Sequence, residues 1–129
     1  MKLFSALAVF AAGIALAACS EIPEDAAELG VDFTFQERHR CSETSPAIRV
    51  SGAPESTVGY RVKLVDLDVP SFNHGGGEVS QSSGRIRPGA LESYIGPCPP
   101  IGTHTYEFRV SALDADGRIV GYGTATQEF

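Results

Sequence analysis

From Val31 onward, hydrophobic and polar residues alternate with a period of two along most of the chain, the pattern of half-buried strands. Asp32 to Gln36 alternates, and Ala47-Ile48-Arg49-Val50 is a short run bounded by Pro46 and Gly52. The run from Tyr60 to Leu67 is the most regular. Its Tyr60, Val62 and Leu64 share one face and Arg61 and Lys63 the other, until Val65 and Leu67 make the second face apolar too, which predicts a central strand buried toward its far end. Tyr106 to Ala112 alternates strictly, Asp114-Ala115-Asp116-Gly117 is a hairpin turn, and Arg118 to Gln127 is the returning strand. Residues 71–93 are rich in Gly and Ser with almost no apolar period, which predicts a long loop carrying at most a short strand near Glu78 to Ser80; loops of that length are functional or disordered. The only helix expected is a single turn around Asp25 to Leu29. The fold class is therefore all-β dominated.

The first residues have a different pattern. Lys2, an apolar run from Leu3 to Leu16 and small residues leading into a cysteine have the layout of an export signal, too short for a spanning helix of ~20 residues. Leu16-Ala17-Ala18-Cys19 resembles the bacterial lipobox, in which the cysteine becomes the acylated first residue of the mature protein. The expected organisation is a signal peptide over 1–18, a lipidated acidic tether over 19–30 and one domain over 31–129. A simple secretory signal and an uncleaved anchor are the alternatives.

Without residues 1–18 the 129-residue chain keeps 111, enough for one modest core. Nine Lys/Arg then face sixteen Asp/Glu, a balance of −7, with no basic run. Phosphate-backbone binding needs clustered cations, so nucleic acid is excluded as a partner, and an acidic surface does not adhere to anionic lipid. Membrane association is expected through acyl chains on Cys19. Export also makes disulfides stable. If Cys19 is acylated, Cys41 and Cys98 are the remaining pair, either bridged or packed as two small hydrophobes.

Three strings in the second half carry the candidate chemistry. Asp66-Leu67-Asp68-Val69-Pro70, with His74 close behind, ends a strand in carboxylates; at most one of the two is expected to point into a given pocket, and Pro70 sets the exit angle of the next loop. Tyr94-Ile95-Gly96-Pro97-Cys98-Pro99-Pro100 is a rigid wall in which Gly96 permits close backbone approach to a ligand. His104-Thr105-Tyr106 follows. His39, between Arg38 and Arg40 and outside every string, is expected to be a solvated surface residue.

Taken with Cys41, Ser45-Pro46 and Ala112-Leu113-Asp114, these strings resemble the phosphatidylethanolamine-binding protein family, also called the Raf kinase inhibitor-like family, and specifically its small bacterial members. The resemblance spans residues 33 to 126. It implies a β-sandwich or Greek-key domain with a central antiparallel sheet, little helix, and a small pocket for phosphate, acetate or phosphoethanolamine-like groups. By position, Asp66, Pro70, His74, Gly96, His104 and Tyr106 line that pocket, with Ile95, Pro99 and Pro100 as walls. Three departures stand out: Leu67 replaces the family's proline, while Val50 and Gly75 stand where tryptophan is usual, which implies a wider and wetter pocket. The longer C-terminal segment that covers the pocket in larger members is absent after Phe129.

Other chemistries find less support. Asp66, His74 and His104 have the composition of a two-histidine, one-carboxylate metal site, but their family counterparts hold anions, so no metal and no cofactor is expected. There is no Gly-x-Ser-x-Gly elbow and no His-Glu-x-x-His, and nothing identifies a nucleophile, so no enzyme activity is expected. The sequence points to an envelope lipoprotein, held by Cys19 at the outer membrane facing the periplasm, that binds a small anionic or zwitterionic group. The alternative is a kinase- or peptidase-inhibitor-like interaction module independent of the pocket.

Overall fold

The computed structural model describes residues 21–129; the signal segment, Cys19 and Ser20 lie outside the described residues. Nine strands follow in chain order: β1 (Ala27–Glu28), β2 (Gly30–Phe33), β3 (Ile48–Ser51), β4 (Gly59–Asp66), β5 (Gly75–Val79), β6 (Arg85–Ile86), β7 (Ser93–Tyr94), β8 (Thr105–Leu113) and β9 (Ile119–Glu128). A 3-10 turn at Glu37–His39 is the one helical element among them. The larger sheet has the order β1-β9-β8-β4-β5-β7, antiparallel except where β1 runs parallel to β9; the smaller is an antiparallel β2-β3-β6. No described helix is long and apolar enough to cross a membrane.

The two sheets face each other across one core, as the alternation requires. Tyr60, Val62 and Leu64 of β4 and Tyr106, Phe108, Val110 and Ala112 of β8 are buried on the inner face of the larger sheet, against Ile48, Val50 and Ile86 of the smaller. Phe33 meets Phe108 edge-on, with ring centroids 4.7 Å apart, an arrangement that adds to simple area burial. Arg61 and Lys63 alternate outward and are exposed. Each fully buried side chain of this size contributes ~1.5–3 kcal/mol, so these inner-face residues dominate the stability of the layers. At the end of the β8–β9 hairpin, Asp114 Oδ1 accepts the N–H groups of Asp116 and Arg118 while Gly117, at φ +76°, closes the turn.

Three expectations change. The stretch from Asp25 to Leu29 is not a helical turn: β1 adds to the edge of β9, and Leu29 packs against Gly121 and Gly123, where a side chain would collide with it. Strand pairing and apolar burial replace the helix because Leu29 gains a core site that an isolated turn lacks. The loop over 71–93 carries more strand than expected: β5 covers Gly75–Val79, overlapping the short strand expected near Glu78 to Ser80, and β6 and the start of β7 follow. Its glycines are demanded by sheet packing: a Cβ on Gly76 would run into the Val62 carbonyl of β4, and one on Gly75, at φ +71°, into the Ser93 carbonyl of β7. The tryptophan site after His74 is therefore filled by main chain rather than left open. Val50, likewise, is buried in the core.

His39 is the third. It is buried, not solvated: its Nδ1 accepts the Gln36 N–H at 2.8 Å and its ring lies 6.1 Å from Phe35. Burial and the neighbouring Arg38 charge both lower its pKa, which favours the neutral ring this acceptor role needs.

Cys41 and Cys98 are joined by a disulfide, with Cα atoms 4.7 Å apart across 57 residues of sequence. Two backbone hydrogen bonds run beside it, Cys41 N–H to Pro97 O and Gly96 N–H to Ser42 O, both 2.8 Å. The bridge staples the 37–42 segment to the Gly-Pro-Cys-Pro-Pro loop. A closed loop of this size restricts the unfolded chain by about 4 kcal/mol in the entropic model. The Cys41→Ala/Cys98→Ala variant is expected to lose about that stability in denaturant titration; a loss below about 1 kcal/mol would show that the two backbone bonds hold the loops without the bridge.

Candidate functional site

The inner face of the two central strands carries apolar side chains as far as the sheet's end and there turns polar. In β4 the series Tyr60, Val62, Leu64 continues into Asp66; in β8 the series Ala112, Val110, Phe108, Tyr106 runs back to His104, and Asp66 pairs directly with Tyr106 in the ladder. A period of two thus brings a carboxylate and an imidazole onto one edge of the core. The backbone of His104 is fixed by two hydrogen bonds with Phe129, each 3.0 Å, which extend the β8–β9 ladder by one residue pair.

Asp66 is buried, and both of its oxygens are engaged. Oδ1 accepts the N–H groups of Asp68 at 2.9 Å and Val69 at 3.1 Å, which folds the chain into a tight turn; Oδ2 accepts from His104 Nδ1 at 2.7 Å. Burial pushes the carboxyl pKa up, but the His104 hydrogen bond and the two backbone N–H groups together outweigh it, so the net shift is downward. The ionised carboxylate can only accept. His104 therefore carries its proton on Nδ1, and its Nε2 has no partner among the described residues. That nitrogen accepts when the ring is neutral and donates when it is charged.

His74 is also buried. Its Nδ1 donates to the Ile95 carbonyl at 2.8 Å, and its ring lies 4.6 Å from Phe72 and edge-on to Tyr106 at 5.5 Å. Tyr106, fully buried, stands between the two histidines, with its ring 6.2 Å from that of His104. Its hydroxyl lies near the Cys98 N–H without closing a hydrogen bond of ordinary geometry. Burial first, then the Asp66 charge, raises its pKa, so the phenol stays protonated.

Four of the nine predicted ligand residues, Asp66, His74, His104 and Tyr106, are thus brought together. Ile95 joins them through its carbonyl and leaves its side chain exposed. Pro70 and Pro100 are exposed and Pro99 half-buried on the adjoining loops. Gly96 serves the protein itself: its N–H is committed to Ser42, and a Cβ there would strike the His39 carbonyl. The close approach read from the sequence is between two loops, not between loop and ligand.

Sequence reasoning missed Asp68, which was expected to point away if Asp66 pointed in. Side chains two apart share a side of an extended chain, and the turn after Asp66 folds Asp68 back, so that its Oδ2 accepts the Thr105 N–H at 2.7 Å. One ligand atom from each of Asp66, Asp68 and His104 lies within 4.8 Å of the others. His74 is not part of that trio, so the two-histidine arrangement weighed above is not assembled. Phe72, whose ring lies tilted against that of His74, and Phe129, holding His104, were also missed. A Phe two residues before a His was a readable signal for the first; nothing local marked the second.

No curated protein sequence matches the chain significantly. Among solved structures, a putative phosphatidylethanolamine-binding protein homolog from Chlamydia trachomatis superposes with a TM-score of 0.63 at 19% identity, covering 82% of this chain and 98% of that one, which shows a shared fold. The family described as phosphatidylethanolamine-binding protein matches residues 73–128, the stretch holding His74, Tyr94 to Pro100 and His104-Thr105-Tyr106. With that stretch and the shared fold, the chain is similar to the phosphatidylethanolamine-binding protein family.

Proposed function

We propose that the protein is an envelope lipoprotein whose domain binds a small anionic or zwitterionic group, of the phosphate or phosphoethanolamine kind, without turning it over. Similarity to the family supports a binding protein in general. The observation that carries the finer reading is the Asp66–His104 pair, in which an ionised carboxylate holds Nδ1–H and leaves Nε2 free at the core's edge. Once charged, His104 presents an N–H donor to an anion oxygen, a charge-assisted bond about twice as strong as a neutral one. Asp66, already satisfied by three N–H donors, balances that charge rather than repelling the ligand outright.

The tether enters at the opposite end. Glu21, Pro23, Asp25 and Ala26 lie beside Asp114, Gly117 and Arg118, at the β8–β9 turn, a strand length or roughly 25–30 Å from His104. Acyl chains on Cys19 would then hold the domain with the His104 end away from the anchoring membrane. The acidic surface supports anchoring by lipid chains rather than by charge.

A second reading rests on a separate observation. Of the seven exposed large hydrophobics among the described residues, five, Leu67, Val69, Phe72, Ile95 and Ile101, sit on the loops next to the pair. Exposed apolar residues grouped in this way favour a protein partner at the same end.

Sulfate keeps its charge between pH 8 and 6, so its binding reports the protein alone. Asp66, with its pKa lowered, stays ionised throughout this range; the stability it contributes is lost only as pH falls below about 4, through the folded value. Sulfate affinity is expected to rise as pH falls, because an anion favours the charged imidazole over the neutral one. His104→Ala and Asp66→Asn are expected to remove both the binding and its pH dependence, read by calorimetry and by the shift in melting temperature with sulfate, phosphate and phosphoethanolamine. Equal shifts in all three proteins would refute the site.

Anchoring is read separately from the intact mass of membrane-extracted protein, which should exceed that of the chain from Cys19 by acyl groups; Cys19→Ser should release it or leave it unprocessed. For the second reading, a partner retained by His104→Ala but lost on Phe72→Ser would favour an interaction module.

A further inference from the structure

The smaller sheet has an outer face, and its charges are arranged unlike those anywhere else on the described surface. A cleft of about 690 Å³, lined by residues of β2, β3 and β6 and of the segments around them, includes Arg38, Arg49, Arg85 and Arg87. None of the nine residues expected at the family pocket lines it. The other four arginines of the chain each pair with a carboxylate close by: Arg40 with Glu37, Arg61 with Glu78, Arg109 with Glu107 and Arg118 with Asp116. The four in the cleft pair with none among the described residues. Carboxylates are not scarce, since the chain carries sixteen.

Local geometry makes the arrangement costly. Arg49 stands directly opposite Arg85 in the β3–β6 register, on the outer face, because Ile48, Val50 and Ile86 turn inward. Like charges directly opposite each other destabilise a strand pair. Asp32 is opposite Arg49 on the other side, in β2, and also lines the cleft, yet closes no ion pair with it. His39 lines the cleft as well, and its lowered pKa adds no positive charge at neutral pH. Four arginines and one carboxylate residue therefore line a space of the size that holds small ligands.

We infer that this cleft is a second binding site, for a compact anion bearing two or more phosphate or carboxylate groups. Guanidinium forks engage such groups bidentately. A bound anion between Arg49 and Arg85 converts their repulsion into two attractions, which accounts for a like-charge pair on a chain with spare carboxylates. The net charge of −6 repels an extended polyanion at long range but acts little on one small enough to sit inside the cleft. The site is independent of the Asp66–His104 pair and stands or falls apart from it.

Calorimetric titration of the full-length protein with inorganic tripolyphosphate and with citrate tests the inference, with inorganic phosphate as the singly grouped control. Tripolyphosphate is expected to bind at least about tenfold more tightly than phosphate and to lose at least about tenfold on Arg49→Gln/Arg85→Gln. His104→Ala should leave that binding intact. The melting temperature of the ligand-free double variant should stay level or rise, because a repulsion has been removed; arginines kept for the fold would lower it. Arg38→Gln/Arg87→Gln, at two exposed positions outside the strands, should weaken tripolyphosphate binding in the same sense. Absence of binding, equal affinity in the arginine variants, loss on His104→Ala instead, or capture on cardiolipin-containing vesicles in place of the free anion would each overturn it.

Discussion

The antiparallel register of β4 against β8 is the constraint on which the rest depends. With Asp66 opposite Tyr106, every inward position of both strands is apolar until the last, and the change to Asp66 and His104 comes just where the core ends. A slip of one residue would turn Tyr60, Val62 and Leu64 to solvent and Asp66 out of the site together. The core and the candidate site thus share a register. The same strands that bury Phe108 and Val110 hold a carboxylate and an imidazole in hydrogen-bond contact at 2.7 Å.

Around that pair the molecule spends its irregular structure on positioning. The Asp66 carboxylate folds the 66–69 turn, Asp68 returns to the β8 backbone, and Phe129 fixes the backbone of His104. The prolines and the Cys41–Cys98 bridge serve a neighbouring purpose: they clamp the 37–42 and 95–100 segments together, with Gly96 at the contact. Rigidity beside the site lowers the ordering cost of any ligand, which is how a weak donor set can still select one. The cleft on the smaller sheet relies on charge instead, with arginines on strands whose other faces are core.

Much of this was legible in the residue pattern. The limits of β4, β8 and β9 follow within one or two positions from strict alternation and from the Asp114 to Gly117 turn, since burial on one face leaves little freedom. The grouping of Asp66, His104 and Tyr106 was legible only through the resemblance to a family. The Gly-rich stretch misled because glycine signals loops by propensity, whereas here it lets β5 lie tightly between β4 and β7. His39 misled for a similar reason: its flanking arginines suggested solvent, but a backbone N–H and an aromatic ring were waiting for it.

By itself the sequence determined the all-β character, the inward residues of the long strands, the acidic balance and the strings that resemble a known family, because these rest on local periodicity and composition. Tertiary structure alone decided which nitrogen of His104 is free, that the Gly96 N–H is already used, that the oxygens of Asp68 approach those of Asp66, and that the four unpaired arginines share one cleft. Each of those depends on groups far apart in the chain, such as Asp66 with His104 or Arg49 with Arg85, and no local pattern encodes the distance between them.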